Sequence, residues 1–333
     1  MGTAKPVEQE AGDSEARSWV SYLPALTGVA ALGAAVLLVV FARHEALPVW
    51  QPLVLAAIAF CCEFVDSSLG MGYGTTFTPL LLLMGFELKT VVPVVLLSEF
   101  LTGMTAGGFH HALGNASFRW RSRDTRVTAV LAGAGVLGAL VAVQFLTRVP
   151  RLWAQLYFAL MITAMGLVIV ARRAGRYRFS WTRVAVLGLV SSFNKGMSGG
   201  GYGPLVVGGQ VLAGCEARNA VACTSLSESL VCLVGLAGFA GAGIFPAPVL
   251  AVPIIAGALL SAPCASAMTR YMGAKVNLKR VVGVLVLVLG IVCLVRVVGS
   301  VKMLGYQRGS GEIAAARITR GSRAPSSPCA GHP

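Results

Sequence analysis

Five ionisable side chains stand inside apolar stretches of the sequence, and their types are suited to moving a charged solute. They are Glu63, Asp66, Glu99, Lys195 and Glu228. A charge inside a bilayer is costly and usually marks a substrate or ion pathway. We predict that Lys195 binds an anion and that the four acids carry protons or gate access. Four carboxyl groups against one lysine leave excess negative charge, so an anion could bind only if some of them are protonated, which favours proton coupling.

Two glycine-rich segments adjoin these charges. The predicted substrate-binding residues beside Lys195 are Ser67, Ser68, Gly70, Gly72, Tyr73, Gly74 and Thr75 in the first segment and Ser198, Gly199, Gly200, Gly201, Tyr202 and Gly203 in the second. Glycine lets the backbone adopt positive φ and approach a ligand closely, and a helix N-terminus attracts anions. We predict half-helices that start near Thr75 and Pro204 and point at an anion. Glycine can also simply permit tight helix packing, the role that we expect for Gly103 and Gly107.

The two segments are copies of one another at an offset of 129 residues, from position 73 to position 202. The identical pairs include Tyr73/Tyr202, Gly70/Gly199, Gly74/Gly203, Glu87/Glu216, Ser98/Ser227 and Glu99/Glu228. Asp66 aligns with Lys195, which predicts either a salt bridge between them or separate roles for proton and anion. Glu99 and Glu228 either couple protons or only hydrogen-bond to broken backbone. Internal duplication with broken helices is typical of secondary transporters.

The amino-acid composition predicts the kind of secondary structure that positions these residues. The chain has 333 residues, of which 56% are hydrophobic and 12% charged, against roughly 25% charged in soluble domains. This excludes a soluble enzyme and a disordered protein. We predict an all-α integral membrane protein with about nine or more transmembrane segments, in two homologous repeats that each start with broken or re-entrant helices. The net charge of +14 lies in gaps between apolar stretches, so it indicates orientation in a lipid bilayer rather than nucleic acid.

The hydropathy pattern predicts five parts of the chain. They are a disordered tail (1–18), an extra transmembrane helix (19–42), repeat 1 (51–172), repeat 2 (182–299) and a disordered basic tail (300–333). If the three basic gaps near 119–126, 172–183 and 270–280 are all cytoplasmic, the repeats are inverted and each short pair is a re-entrant hairpin. A parallel arrangement stays open, because it places the basic C-terminal tail inside.

His110 and His111 adjoin a basic gap and raise the question of a metal path. Adjacent histidines on a helix point about 100° apart, so both cannot easily bind one ion. We therefore expect interfacial polar residues, no metal and no cofactor.

The duplicated segments resemble the TauE/SafE family of sulfite exporter-like permeases over about residues 51–299. The resemblance rests on the runs at 70–74 and 198–203, each followed by a Gly-x-Glu turn and a serine-bearing helix. The stretch 220–226 is similar to the family's Ala-Val-x-Thr-Ser stretch, whereas 91–97 departs from it, and Asp66 and Glu99 suggest a divergent subgroup. The resemblance implies transport of sulfite, organosulfonates or related oxyanions across the plasma membrane.

These observations favour a multi-pass secondary transporter of a small sulfur-containing anion, coupled to protons. The first alternative is a proton or metal-cation carrier that uses the carboxyl groups. The second is a membrane-embedded enzyme or sensor, although the sequence holds no HExxH motif. No Walker motif occurs either. A homodimer is compatible with the sequence.

Overall fold

The structure is a computed structural model that describes residues 50–171, 179–213, 215–272, 283–284 and 286–299. The predicted tails and the predicted extra helix over 19–42 lie outside these residues. The described part of the chain consists of helices and the turns between them, with no strand, which agrees with the all-α prediction.

The helices follow one another with short connections, and their bounds are as follows. They are α1 (Trp50–Leu69), α2 (Tyr73–Leu83), α3 (Leu88–Ala112), α4 (Arg123–Arg148), α5 (Arg151–Ala171), α6 (Trp181–Ser198), α7 (Tyr202–Leu212), α8 (Ala217–Gly241), α9 (Pro248–Met272) and α10 (Val286–Gly299).

Six helices of the described part are long and apolar enough to cross a membrane, namely α1, α3, α4, α5, α8 and α9. Large apolar side chains point outward from α4 and α5, among them Leu137, Phe145, Leu160 and Leu167. Exposing such an apolar surface to water is unfavourable, whereas contact with lipid chains is not. The protein is therefore a multi-pass membrane protein, and the expectation of about nine or more spans stays a prediction.

Two helix breaks occur where glycines cluster. Helices α1 and α6 are directly followed by Gly70 and Gly199. Both glycines have a φ of 71°, the left-handed conformation that commonly ends a helix. The chain resumes helical geometry after three residues, so α2 and α7 begin at Tyr73 and Tyr202. The predicted starts, near Thr75 and Pro204, were thus two residues late, because the glycine just before each helix already completes the turn.

The helices α1, α3, α6 and α8 lie at the centre and position the charged residues. Helix α4 packs along α6, α9 packs along α1, and α3 crosses α8. At this crossing, a Cβ atom added to Gly103 would stand 2.7 Å from the Ser225 carbonyl oxygen, and one at Gly107 would stand 3.2 Å from Leu226 Cδ1. Both glycines therefore permit close packing of α3 on α8, as predicted.

Candidate functional site

Lys195 is the centre of the candidate site. It lies near the C-terminal end of α6, four residues before Gly199, and only 1% of it is exposed. Its Nζ atom donates a 2.7 Å hydrogen bond to Glu228 Oε1 on α8 and forms a second ion pair with Glu99 Oε2 on α3. One ammonium group is thus shared by two buried carboxyl groups. The three groups together carry a net charge of −1 when all of them are ionised.

This arrangement bears on two pairs of alternatives that the sequence left open. The ion pairs of the described residues include none between Asp66 and Lys195, so separate roles for the two residues stay a prediction. Glu99 and Glu228 do more than hydrogen-bond to broken backbone, since both bind the Lys195 ammonium group. Their charges therefore depend on each other through Lys195.

Asp66 lies instead against the start of the following half-helix. Its Oδ1 atom accepts a 3.2 Å hydrogen bond from the backbone N–H of Tyr73, the first residue of α2. A carboxylate at a helix N-terminus is stabilised by the N–H groups and the helix dipole. At the first break, the position that we predicted for an anionic substrate is therefore held by a carboxylate of the protein.

The second break is stabilised by a hydroxyl group. Ser198 Oγ accepts a 3.1 Å hydrogen bond from the backbone N–H of Gly200 and donates a 2.6 Å hydrogen bond to the Asn194 carbonyl oxygen. Lys195, which aligns with Asp66, binds the two glutamates. The two breaks thus share a backbone path but differ in charge.

The tyrosines that match between the two breaks, Tyr73 and Tyr202, make the same contact. Tyr73 OH lies 2.7 Å from Ser98 Oγ, and Tyr202 OH donates a 3.0 Å hydrogen bond to Ser227 Oγ. All four residues are fully buried. Because each serine directly precedes a glutamate, these bonds fix the helices that carry Glu99 and Glu228 against the breaks. The sequence matches at 98 and 227 were the available signal for this pairing, which we had not predicted.

The predicted glycines bring the two breaks into backbone contact. A Cβ atom at Gly74 would overlap the carbonyl oxygen of Gly199, and a Cβ atom at Gly203 would overlap that of Gly70. A Cβ atom at Gly200 would stand 2.6 Å from the carbonyl carbon of Gly74. Close packing between the breaks therefore requires these glycines, whatever further part they play in binding.

Glu63 forms a second buried polar group beside the site. It accepts a 2.5 Å hydrogen bond from Ser67 Oγ and a 3.2 Å hydrogen bond from Thr102 Oγ1. Thr102 was missed by the sequence analysis, although it lies three residues after Glu99 on the same helix face. Ser68 donates to the Phe64 carbonyl oxygen at 2.5 Å, within its own helix.

Thr75 differs from the other predicted hydroxyl groups. It is 2% exposed, in the first turn of α2, and its Oγ1 atom has no hydrogen-bond partner among the described residues. It is therefore the predicted hydroxyl group that is most available to a ligand at the breaks.

The two histidines lie in different environments. His110 is fully buried, and its Nδ1 atom is 2.9 Å from Asn115 Nδ2, whereas His111 is exposed. His110 therefore lies within the helix packing and His111 at its surface, and the expectation that both lie near the membrane interface stays a prediction. No cluster of metal-ligating side chains occurs within the described ranges.

Comparisons with known proteins support a transport role. A family model described as "Sulfite exporter TauE/SafE" matches residues 55–293. The chain is also similar to "Probable membrane transporter protein YtnM" of Bacillus subtilis (strain 168), with 28% identity over 199 residues. This match covers 56% of the chain and 63% of that relative, so the chain spans about three fifths of the relative's length. No solved structure matches the chain.

Proposed function

The chain belongs to the sulfite exporter TauE/SafE family, and on this basis we propose that it is a secondary transporter of a small sulfur-containing anion, such as sulfite or an organosulfonate, coupled to protons. The observation that carries the proposal is Lys195, the only lysine or arginine among the described residues that is buried. A buried ammonium group beside two helix breaks is suited to an anion. We place this transporter in the plasma membrane.

The contacts of Lys195 also support proton coupling. Glu99 and Glu228 both occupy its ammonium group, so a substrate anion must displace at least one of them. Protonation removes the charge of a glutamate and weakens its attraction to Lys195. A proton therefore frees Lys195 for the anion, and loss of the proton restores the ion pair and expels the anion.

The rest of the site supplies the selectivity in this proposal. Thr75 contributes an unpartnered hydroxyl group, and the backbone N–H groups near Gly201 and Tyr202 lie at the start of α7. Asp66 already occupies the start of α2. We propose that the anion binds between Lys195 and the second break, away from the Asp66 carboxylate.

We propose that the chain is internally duplicated, with repeats over about 51–172 and 182–299. The bounds of α6 to α8 support this, because α7 and α8 begin and end 129 residues after α2 and α3, as Tyr202 does after Tyr73. The matched pairs Tyr73–Ser98 and Tyr202–Ser227 give further support. An inverted arrangement of the repeats fits cytoplasmic basic gaps.

Transport into proteoliposomes tests the proposal. Purified protein is assayed with labelled sulfite, sulfate, sulfoacetate and taurine, with and without a pH gradient, against protein-free vesicles. We expect saturable uptake of at least one anion that increases with an imposed pH gradient. The sulfur-anion assignment fails if none of the four moves or competes.

The Lys195→Gln variant separates an anion carrier from a cation carrier. An anion carrier should lose transport, whereas a cation carrier that uses the carboxyl groups should retain or gain it. Arg151→Gln is the matched control. Arg151 forms a 2.7 Å ion pair with Glu87 that is exposed, whereas the ion pairs of Lys195 are buried. This control should transport as the wild type does.

A further inference from the structure

We call Lys195, Glu99 and Glu228 the Lys195 cluster. A row of buried polar side chains leads away from it on one side of the protein. We call Glu63, Ser67, Thr102, His110 and Asn115 the polar row. Each is at most 2% exposed. Burying so many polar groups in a membrane helix bundle costs free energy, so their alignment requires an explanation.

The inner end of the polar row reaches the Lys195 cluster. Thr102 lies three residues after Glu99 on α3, so the two side chains share a helix face. Thr102 Oγ1 donates to Glu63 Oε2 at 3.2 Å, and Ser67 Oγ donates to Glu63 Oε1 at 2.5 Å. Glu63 therefore connects α3 to α1 one helical turn from Glu99.

The outer end of the polar row reaches the loop after α3. The His110 ring lies beside the Ser67 carbonyl group, and Asn115 Nδ2 lies 2.9 Å from His110 Nδ1 and 3.0 Å from the Ser266 carbonyl oxygen. Asn115 directly follows Gly114, which is exposed. The polar row thus begins beside Glu99 and ends at Asn115, one residue from the exposed Gly114.

His110 has a free ring atom in this row. Because Asn115 Nδ2 donates to Nδ1, the proton of the neutral ring is assigned to Nε2. Nε2 is buried and has no hydrogen bond of normal geometry among the described residues, although the Ser67 carbonyl group lies beside the ring. Nε2 can release its proton once Nδ1 has taken one up, because the ring is then a cation.

The second half of the chain has no such row at the equivalent positions. The residues 129 positions after those of the polar row are Ser192, Gly196, Val231, Phe239 and Ile244. Four of these five side chains cannot hydrogen-bond, and Val231 and Phe239 are at most 1% exposed. The polar row is therefore one-sided, although the breaks are matched.

The charged groups around the polar row are few. Glu63 is faced by Asp66 and Glu228. Around His110 lie the Ser67 carbonyl on α1, Ser266 on α9 and Asn115 in the loop, and no charged side chain acts on the ring in the part of the chain that the structure describes. A proton that enters at His110 meets no fixed positive charge before Glu63.

We propose that the polar row conducts protons between the Lys195 cluster and the side of the membrane that the loop after α3 faces. His110 takes up a proton at one ring nitrogen and releases one from the other. Ser67 and Thr102 each accept one proton and release another, and Glu63 holds the transferred proton next to Glu99. Only N–H and O–H bonds form and break, and the His110 ring and the two hydroxyl groups then turn back to their starting orientations before the next transfer.

This proposal rests on the proposed proton-coupled function. It adds the route that the protons take and the side of the membrane with which they exchange. The loop leads into the basic gap with Arg119, Arg121 and Arg123, which the positive-inside rule assigns to the cytoplasm. We infer that protons exchange with the cytoplasm through the first half of the chain, whereas the second half provides no equivalent row.

Two transport assays on full-length protein in proteoliposomes test the route. Equilibrium exchange of labelled sulfite at equal pH needs no net proton flow, whereas accumulation driven by a pH gradient does. His110→Phe copies Phe239, His110→Gln keeps a polar side chain that does not titrate, and Thr102→Val copies Val231. Ser261→Ala is the control, because it removes a buried hydroxyl group of α9 that has no partner among the described residues.

We expect the three variants of the polar row to lose gradient-driven accumulation by about tenfold or more and to keep exchange within about twofold. Ser261→Ala should match the wild type in both assays. The route is wrong if the row variants accumulate sulfite as the wild type does, or if folded variants lose exchange and accumulation equally. If the wild type moves another of the four anions rather than sulfite, that anion replaces sulfite in both assays. A wild type that moves none of the four, or that ignores the gradient, instead overturns the proposed function, and the route with it.

Discussion

Ser229 Oγ donates a 2.8 Å hydrogen bond to the carbonyl oxygen of Phe100, and the two residues are 129 positions apart. They are therefore equivalent under the proposed duplication, and two equivalent residues can touch only where the halves meet. Each directly follows a glutamate that binds Lys195, Glu99 before Phe100 and Glu228 before Ser229. The Lys195 cluster thus lies at the point where the two halves of the chain meet.

Replacing Lys195 by methionine should destabilise the protein by about 3–5 kcal/mol, because it leaves two buried carboxyl groups without their cation. Thermal unfolding in detergent measures this.

The triple variant Lys195→Met with Glu99→Gln and Glu228→Gln should recover most of that stability, because no unpaired buried charge remains. Arg151→Gln, which breaks the exposed pair with Glu87, should cost less than about 1 kcal/mol. A Lys195→Met variant as stable as the wild type would contradict the buried ion pairs.

Gly74→Ala and Gly203→Ala should each prevent normal folding, because the added methyl group overlaps a carbonyl oxygen of the opposite break. The yield of monodisperse protein in size-exclusion chromatography measures this. Gly108→Ala is the control, because nothing lies within 4 Å of its Cβ position. This control should be neutral or stabilise α3 by up to about 1 kcal/mol. Normal yields of both break variants would show that the breaks do not touch.

The two tyrosines of the breaks should respond unequally to replacement by phenylalanine. Ser227 Oγ can still donate to the Thr224 carbonyl oxygen at 3.1 Å when Tyr202 loses its hydroxyl group, so Tyr202→Phe should cost about 0.5–1.5 kcal/mol. Tyr73→Phe leaves Ser98 without that bond and should cost about 1–3 kcal/mol. Combining Tyr73→Phe with Ser98→Ala should then recover part of the loss. Equal costs at 73 and 202 in thermal unfolding would refute this reading.

Asp66→Ala should lower stability by about 1 kcal/mol, because the first N–H group of α2 loses its carboxylate acceptor. Asp66→Asn keeps an acceptor oxygen and should cost only a few tenths of a kcal/mol. The comparison in one unfolding assay isolates the hydrogen bond from the charge. If both variants lose the same stability, the charge of Asp66 matters more than its contact with Tyr73.

The sequence by itself determined the membrane class, the helical fold and the places where helices break. Hydropathy and glycine position are local properties, so they predict where a helix runs and where it stops without knowledge of its neighbours. The same holds for the match of Tyr73 with Tyr202 and of Glu99 with Glu228, which needs only alignment of the chain with itself.

Only the tertiary structure decided which charges meet. Alignment suggested a pair between Asp66 and Lys195, yet Lys195 binds Glu99 and Glu228, and Asp66 binds the start of α2. Equivalent positions come into contact only near the line where the halves meet, as Phe100 and Ser229 do. Away from that line, the crossing of α3 and α8 sets the distances. The scarcity of charge is visible in the sequence, whereas the sharing of one ammonium group by two carboxyl groups depends on how these helices cross.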